Sequence, residues 1–338
     1  MSAQSESVSA ERRRAMLRTA MGPAIAAALT DPRVTEIMVN PDGALGIDIL
    51  GEGRVDTSVK LDPAQVERII RLVASHVRSE VHGERPIVSA ELPPLGSGAG
   101  ERFEGILPPV STAPCFSIRK PAARIYTLMD YVTDGIMSAE AARLLSLSVV
   151  DRRNILVAGG TSSGKTTLAN ALLAEMAHLD ERVILIEDTR ELQSPARDTV
   201  ALRTRPSSSD KNTAVTMGDL VRSTLRLRPD RIIVGEVRGP EALDMLKAWN
   251  TGHPGGIATV HANSAASALY RIEQLIQEAV VTVPRRLVAD AIDMIVFIAG
   301  RGTARRIETI ARVAGLDPQG DYAVVDLTPV LTPDLQGD

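Results

Sequence analysis

The chain has one cysteine, Cys115, in 338 residues. It can form no intrachain disulfide and supply no thiolate zinc site, which fits a reducing compartment. Aromatic residues make up only 2%, too few for the stacking platforms that single-strand binders use. Neither sign of charge is in excess: 38 Lys and Arg face 42 acids, divided 15 against 17 up to Gly135 and 23 against 25 beyond it. A basic nucleic-acid face is therefore not expected in either half. No run approaches the ~20 uninterrupted apolar residues of a membrane helix. The expectation is a soluble chain with no transmembrane segment, able to dock on a membrane complex.

Apolar residues reach 44% and charged residues 24%, the balance of a globular protein long enough for two cores. Residues 1–10 are polar and serine-rich, which predicts a disordered tail. ERRRAMLRTAMGPAIAAAL resembles an export signal, but Arg18 interrupts the apolar run. Met16, Leu17, Ala20, Ile25 and Leu29 recur at roughly helical spacing, so a helix is expected instead. EIMVN, the turn PDG and ALGIDIL read as a hairpin, and GEGR turns into a further strand. DPAQVERIIRLVASHVRSEV (62–81) reads as a helix capped by Asp62, with Pro63 in its first turn. IVSAELP, ERFEGILPP and FSIRKP supply more strands. Residues 11–120 are thus expected to be a small α+β domain and 121–135 a linker.

From residue 136 the pattern changes. NILVAGG, RVILIED, RIIVGEV and GIATVHA are apolar strands alternating with amphipathic helices, the pattern of a parallel sheet covered on both faces. MIVFIAG, RRIETIARVAG and DYAVVDL are expected to finish one edge, and RPSSSDKN (205–212) to be a loop. The fold class is α/β, with the parallel-sheet domain at 136–338.

GGTSSGKTT (159–167) fits G-x-x-x-x-G-K-[ST] through Gly159, Gly164, Lys165 and Thr166, after an apolar strand and at the start of a helix. In such a loop the amides of Gly160, Thr161, Ser162, Ser163 and Thr167 surround phosphates, while the lysine reaches the outer phosphate oxygens. The hydroxyl of Thr166 would hold Mg2+. An idle Lys165 would instead stand at the wrong end of a helix dipole. Acids end two neighbouring strands: Glu236 follows RIIV, and Glu187 and Asp188 close VILIED, with Glu191 close behind. The carboxyl ends of parallel strands face the ligand crevice. Glu236 and Glu187 are therefore candidates to activate water, Asp188 is a candidate for metal, and Gly235 stands where a metal-binding aspartate is common. His261 ends GIATVHA on that same edge, where a neutral imidazole could donate to a phosphate oxygen. The other four histidines read as surface or packing residues. Arg102, Arg119, Arg203, Arg205 and Arg238 are candidates to neutralise phosphoryl charge.

Taken together, EIMVNPDG, SIRKP, GGTSSGKTT, ILIEDTRELQ, RPDRIIVGEVRG and GHPGGIATVHANS resemble the ordered motifs of the type II/IV secretion traffic ATPases, in the conjugal-transfer branch of type IV secretion. The resemblance spans nearly the whole chain. It implies a RecA-like C-terminal P-loop domain, a PAS-like N-terminal domain and a homo-hexamer using ATP and Mg2+. It further implies a cytoplasmic protein, peripheral at the inner membrane and joined to components of a secretion channel. By the same resemblance Lys165 and Thr166 bind phosphate and Mg2+, and Glu236 is the Walker B acid. Glu187 and Asp188 form the Asp box, His261 marks the His box, and Arg102 and Arg119 reach phosphate. Ser162 departs from the glycine many members carry, which is expected to change loop stiffness more than chemistry. The tetracysteine motif of the pilus-assembly and type II branches is absent. Two other readings stay open at this point. One is a nucleotide-gated structural ring that barely hydrolyses; the other is a RecA-like enzyme acting on DNA, against which the even charge and scarce aromatics stand.

Overall fold

The computed structural model describes residues 3–77, 79–93, 100–121, 124–205 and 214–329, with side chains from residue 15 onward. Its contacts divide it into two units, Met1–Ala123 and Arg124–Asp338.

In the first unit α1 (Ala3–Thr30) is broken at Gly22, whose φ of 82° is non-helical, just before Pro23. The proline cannot supply the amide that a continuous helix needs there. Described backbone within residues 3–10 is helical, where a disordered tail was expected; residues 1 and 2 lie outside the described residues. The buried stripe of α1 runs through Leu17, Met21, Ile25, Ala28 and Leu29, with Met16 exposed. The sheet contains β1 (Val34–Val39), β2 (Ala44–Ile49) and β3 (Gly53–Lys60), then β4 (Ile87–Glu91), β5 (Arg102–Ile106) and β6 (Cys115–Arg119). Its order is β3-β2-β1-β6-β5-β4, antiparallel throughout. Helix α2 (Pro63–His76) starts where Asp62 accepts from the Ala64 amide at 2.8 Å. It seats Val66, Ile69, Ile70 and Val73 in the same core as Phe103 and Ile118.

The second unit opens with α3 (Leu128–Thr133), inside the stretch expected to be a linker. Its Leu128 and Tyr131 are buried in this unit's core, and six residues with two apolar anchors are too short for a periodic signal. There follow α4 (Ala139–Val150), β7 (Ile155–Gly159), α5 (Lys165–Ala174), β8 (Arg182–Glu187), β9 (Asp198–Arg203), α6 (Met217–Thr224) and β10 (Arg231–Val234). Next come α7 (Glu241–Asn250), β11 (Ile257–His261), α8 (Ala265–Gln277), α9 (Arg285–Ala291), β12 (Met294–Ala299), β13 (Arg306–Leu316) and β14 (Tyr322–Asp326). The sheet order is β14-β13-β12-β7-β11-β10-β8-β9. From β12 to β9 every pairing is parallel, and β13 and β14 close the other edge antiparallel. Besides α3, two elements were not foreseen in the sequence, β9 and α9. DTVALR is a half-exposed edge strand of six residues, and α9 spans barely two turns.

Period-two burial on both faces makes the sheet a three-layer core. On β7, Leu156 and Ala158 join α7 and α8 on one side, while Ile155 and Val157 join α3, α4 and α5 on the other. Trp249 plugs the first of these cores, and its indole Nε1 donates to the Ile232 carbonyl at 3.0 Å. Gly256 lies against that indole, since a Cβ there would sit 2.0 Å from Nε1. Gly256→Ala must therefore displace a ring held by a hydrogen bond, at a cost of about 1–3 kcal/mol. Thermal unfolding followed by the emission of Trp249, the sole tryptophan, is expected to shift several degrees lower in this variant. An unchanged midpoint would contradict the packing described.

Candidate functional site

The parallel pairing brings the carboxyl ends of β7, β11, β10 and β8 to one edge. There the chain leaves β7 at Gly159, which has no room for a side chain: a Cβ would meet the Ile298 carbonyl at 2.5 Å and Ser163 Oγ at 2.6 Å. The loop turns through Ser162 at φ 61° and Gly164 at φ 97° into α5. Ser162 thus occupies the left-handed region that glycine adopts without strain. Ser163 Oγ donates back to the Gly160 carbonyl at 3.0 Å. Gly164 is the N-cap of α5, and no side chain caps that terminus. The first amides of the helix, including those of Lys165, Thr166 and Thr167, have no intrahelical acceptor. An uncapped helix start behind a glycine-rich loop is the arrangement that receives phosphate.

Lys165 is buried, and its Nζ donates to the Gly160 carbonyl at 2.9 Å. It also stands 3.3 and 3.5 Å from the two ring nitrogens of His261. His261 is in register with Gly159 across β7 and β11. Burial first, then the Lys165 charge, holds the imidazole pKa below its ordinary value, so the ring is neutral at pH 7. Its Nε2 lies 3.0 Å from Glu236 Oε1, and that buried oxygen has no hydrogen-bond partner. The other oxygen, Oε2, accepts from Arg238 Nη2 at 2.7 Å. Burial alone would raise this carboxyl, but the Arg238 hydrogen bond and charge, with His261 and Lys165 adding to them, hold it below its ordinary value.

Glu187 is built differently. It is buried, and its Oε1 accepts from the amides of Glu191 and Leu192, both at 2.8 Å. Burial outweighs these bonds and pushes its carboxyl up to about 7. The reason for Gly235 follows from this: a Cβ there would come within 2.9 Å of Glu187 Cγ, so the absent side chain is the space that Glu187 fills. Asn170 on α5 secures the same turn, donating to the Glu191 carbonyl at 3.0 Å and accepting from the Gln193 amide at 2.9 Å. Asn170 was missed from sequence, although a polar residue inside the apolar stretch LANALL was the available signal. Asp188 is exposed and accepts from Thr204 Oγ1 at 2.9 Å.

The structure brings Lys165, His261, Glu236 and Arg238 together. Arg203 ends β9 in register with Glu187, and Arg205 bridges to Val215; most of the loop RPSSSDKN lies outside the described residues. Arg102 and Arg119 belong to the first unit, where they are direct cross-strand partners of β5 and β6 and so share a face. Among the described residues no group of three or more His, Cys, Asp or Glu could hold a metal ion. Mg2+ in phosphate sites takes most of its ligands from phosphate and water, so a single hydroxyl such as that of Thr166 and one nearby carboxylate fit that ion. No described helix is long and apolar enough to cross a membrane.

Glu187→Gln tests the buried carboxyl. Between about pH 4.5 and 7 folded Glu187 keeps a proton that the unfolded chain has released, so its contribution to stability is full below 4.5 and is lost as pH rises through 7. Glutamine keeps an acceptor for the two amides but cannot titrate. Denaturant unfolding at pH 5 and pH 8 should show wild type losing on the order of 2 kcal/mol relative to the variant. Parallel pH curves would mean the carboxyl is not held neutral.

A family model described as "Type II/IV secretion system protein" matches residues 65–301. The conjugal transfer protein TrbB of Rhizobium radiobacter is 46% identical over 301 residues, 88% of this chain and 90% of its own. The type IV secretion system protein PtlH of Bordetella pertussis is 35% identical over 309 residues, 82% of this chain and 89% of its own. Among solved structures, the pilus retraction motor PilT with bound ADP has the same fold, with a TM-score of 0.59 at 19% identity over 90% of this chain and 82% of its own. With the phosphate loop and its acidic strand ends in place and these matches spanning most of the sequence, the chain belongs to the type II/IV secretion system protein family.

Proposed function

We propose that this protein is the ATP-hydrolysing motor of a type IV secretion or conjugal-transfer system. Its second unit would be a RecA-like ATPase domain and its first a PAS-like domain, with six copies forming a ring. The observation that carries the reading is Glu236 Oε1, a buried carboxylate oxygen with no hydrogen-bond partner, 3.0 Å from His261 and on the strand edge that holds Lys165. An ionised oxygen left open beside a phosphate loop is suited to accept a hydrogen bond from the attacking water. Glu187 is less suited to that role, because its Oε1 is already held by two backbone amides.

In this reading the loop 159–167 binds the phosphates and Lys165 neutralises their outermost charge. His261, neutral at pH 7, donates to a phosphate oxygen. Thr166 and Asp188 would hold Mg2+, which would supply positive charge to offset the negative charge that develops on the phosphoryl group. Glu187 fixes the turn 188–192, and Arg102 and Arg119 are assigned to phosphate oxygens as well. Hydrolysis would drive motion of one domain against the other, and inner-membrane components of the channel would receive it. The family relation supports the secretion setting, and the even charge supports a partner other than nucleic acid.

Steady-state ATP hydrolysis over a wide range of protein concentration tests the proposal. Wild type should turn over, Lys165→Ala should not, and Glu236→Gln should bind ATP within a few-fold of wild type while hydrolysing about 10² times slower or less. Turnover per subunit that rises with concentration supports sites completed by assembly. Wild type no faster than Lys165→Ala would leave a nucleotide-gated scaffold as the better reading, and Glu236→Gln at full rate would remove Glu236 from the chemistry.

A further inference from the structure

The phosphate loop has two flanks, and only one is used by the residues assigned so far. On the β11 side stand His261 and, one strand further, Glu236. On the β12 side Ile298 is in register with Gly159, and the chain then turns through residues 300–305. Gly300 makes that turn possible, with φ 77° and no room for a Cβ, which would lie 2.0 Å from the Ala304 carbonyl. The Ala304 amide donates to the Arg301 carbonyl at 3.0 Å and the Arg305 amide to Gly302 at 3.3 Å. This tight loop delivers Arg305 directly against the phosphate loop: a Cβ on Gly164 would sit 3.0 Å from its Nε and 3.1 Å from its Cζ.

Arg305 Nε is buried without a hydrogen-bond partner, and among the described residues no carboxylate pairs with its guanidinium. Tyr131 has a buried hydroxyl that also lacks a partner, and the Arg305 charge acts on that phenol. A buried donor left unmade costs stability, and a cation beside a helix N-terminus adds an unfavourable dipole term. Both costs are removed when an anion binds there. Under the proposed function, Lys165, His261 and Glu236, which stand together on the β11 side, would receive the outermost phosphate of a linear polyphosphate. The opposite end of that polyphosphate therefore falls toward β12. A guanidinium presents a planar fork matched to phosphate oxygens.

We propose that Arg305 binds the α-phosphate end of the nucleotide, a second cationic anchor on the flank of the loop opposite His261. The proposal rests on the nucleotide site described under Proposed function. The test is equilibrium binding of ADP, pyrophosphate and adenosine to the full chain as wild type, Arg305→Gln and Arg305→Lys, with melting of each unliganded protein. Arg305→Gln is expected to weaken ADP about tenfold, leave pyrophosphate and adenosine unchanged, and melt within a few degrees of wild type. Arg305→Lys should recover part of the loss. Pyrophosphate weakened as much as ADP, with a lower melting point, would make Arg305 a structural prop of the loop and overturn the proposal. Adenosine weakened as much as ADP would move its contact to the base, and unchanged ADP affinity would remove the contact altogether. If wild type itself binds neither ADP nor pyrophosphate, the nucleotide site fails and this proposal with it.

Discussion

A buried ammonium group at the amino end of a helix is electrostatically misplaced, and the site depends on that misplacement. Lys165 lies where the dipole of α5 is positive and the helix start carries no side-chain cap. The carbonyl of Gly160 accepts one of its hydrogen bonds at 2.9 Å, and its charge helps keep His261 neutral and Glu236 ionised. Lys165, the open amides and Arg305 converge on the same few residues, so positive potential is concentrated there before any ligand arrives. Preorganisation of this kind lowers the reorganisation needed when negative charge enters or develops.

The sheet makes such a concentration possible. Because β7, β11, β10 and β8 are parallel, their carboxyl ends share one edge, and residues as far apart in the sequence as Lys165 and His261 meet there. The two layers of helices bury the central strands β7, β8, β10 and β11 on both faces, so the polar groups of that part of the sheet gather at the strand ends. Gly235 shows how closely the edge is packed. Its missing side chain lets the buried Glu187 carboxyl tuck against β10 while still receiving two amides from the turn that follows β8.

Much of this was legible in the sequence. The strands of the second unit are near-continuous Ile, Leu and Val, a pattern with few alternatives, and GGTSSGKTT carries its own mechanism in its residue types. The acids of RIIVGEV and VILIED could be placed on one edge because strand polarity alone puts them there. The short elements α3, β9 and α9 were missed because tertiary contacts rather than local periodicity stabilise them. The stretch 121–135 looked unstructured for the same reason, although Leu128 and Tyr131 anchor it in the core.

By itself the sequence determined where a glycine-rich loop would lead into a helix and which acids would stand at the neighbouring strand ends, since both follow from residue type and strand direction. It could not decide between those acids. Only the tertiary structure separates Glu187, sealed by backbone amides and pushed up to about 7 by burial, from Glu236, held ionised by Arg238 with one oxygen open. Nor could it single out Arg305, one arginine among 38 basic side chains, whose place against Gly164 is set by the strand order. A carboxylate's role and an arginine's partner are functions of burial and neighbours, and these exist only once the chain has folded.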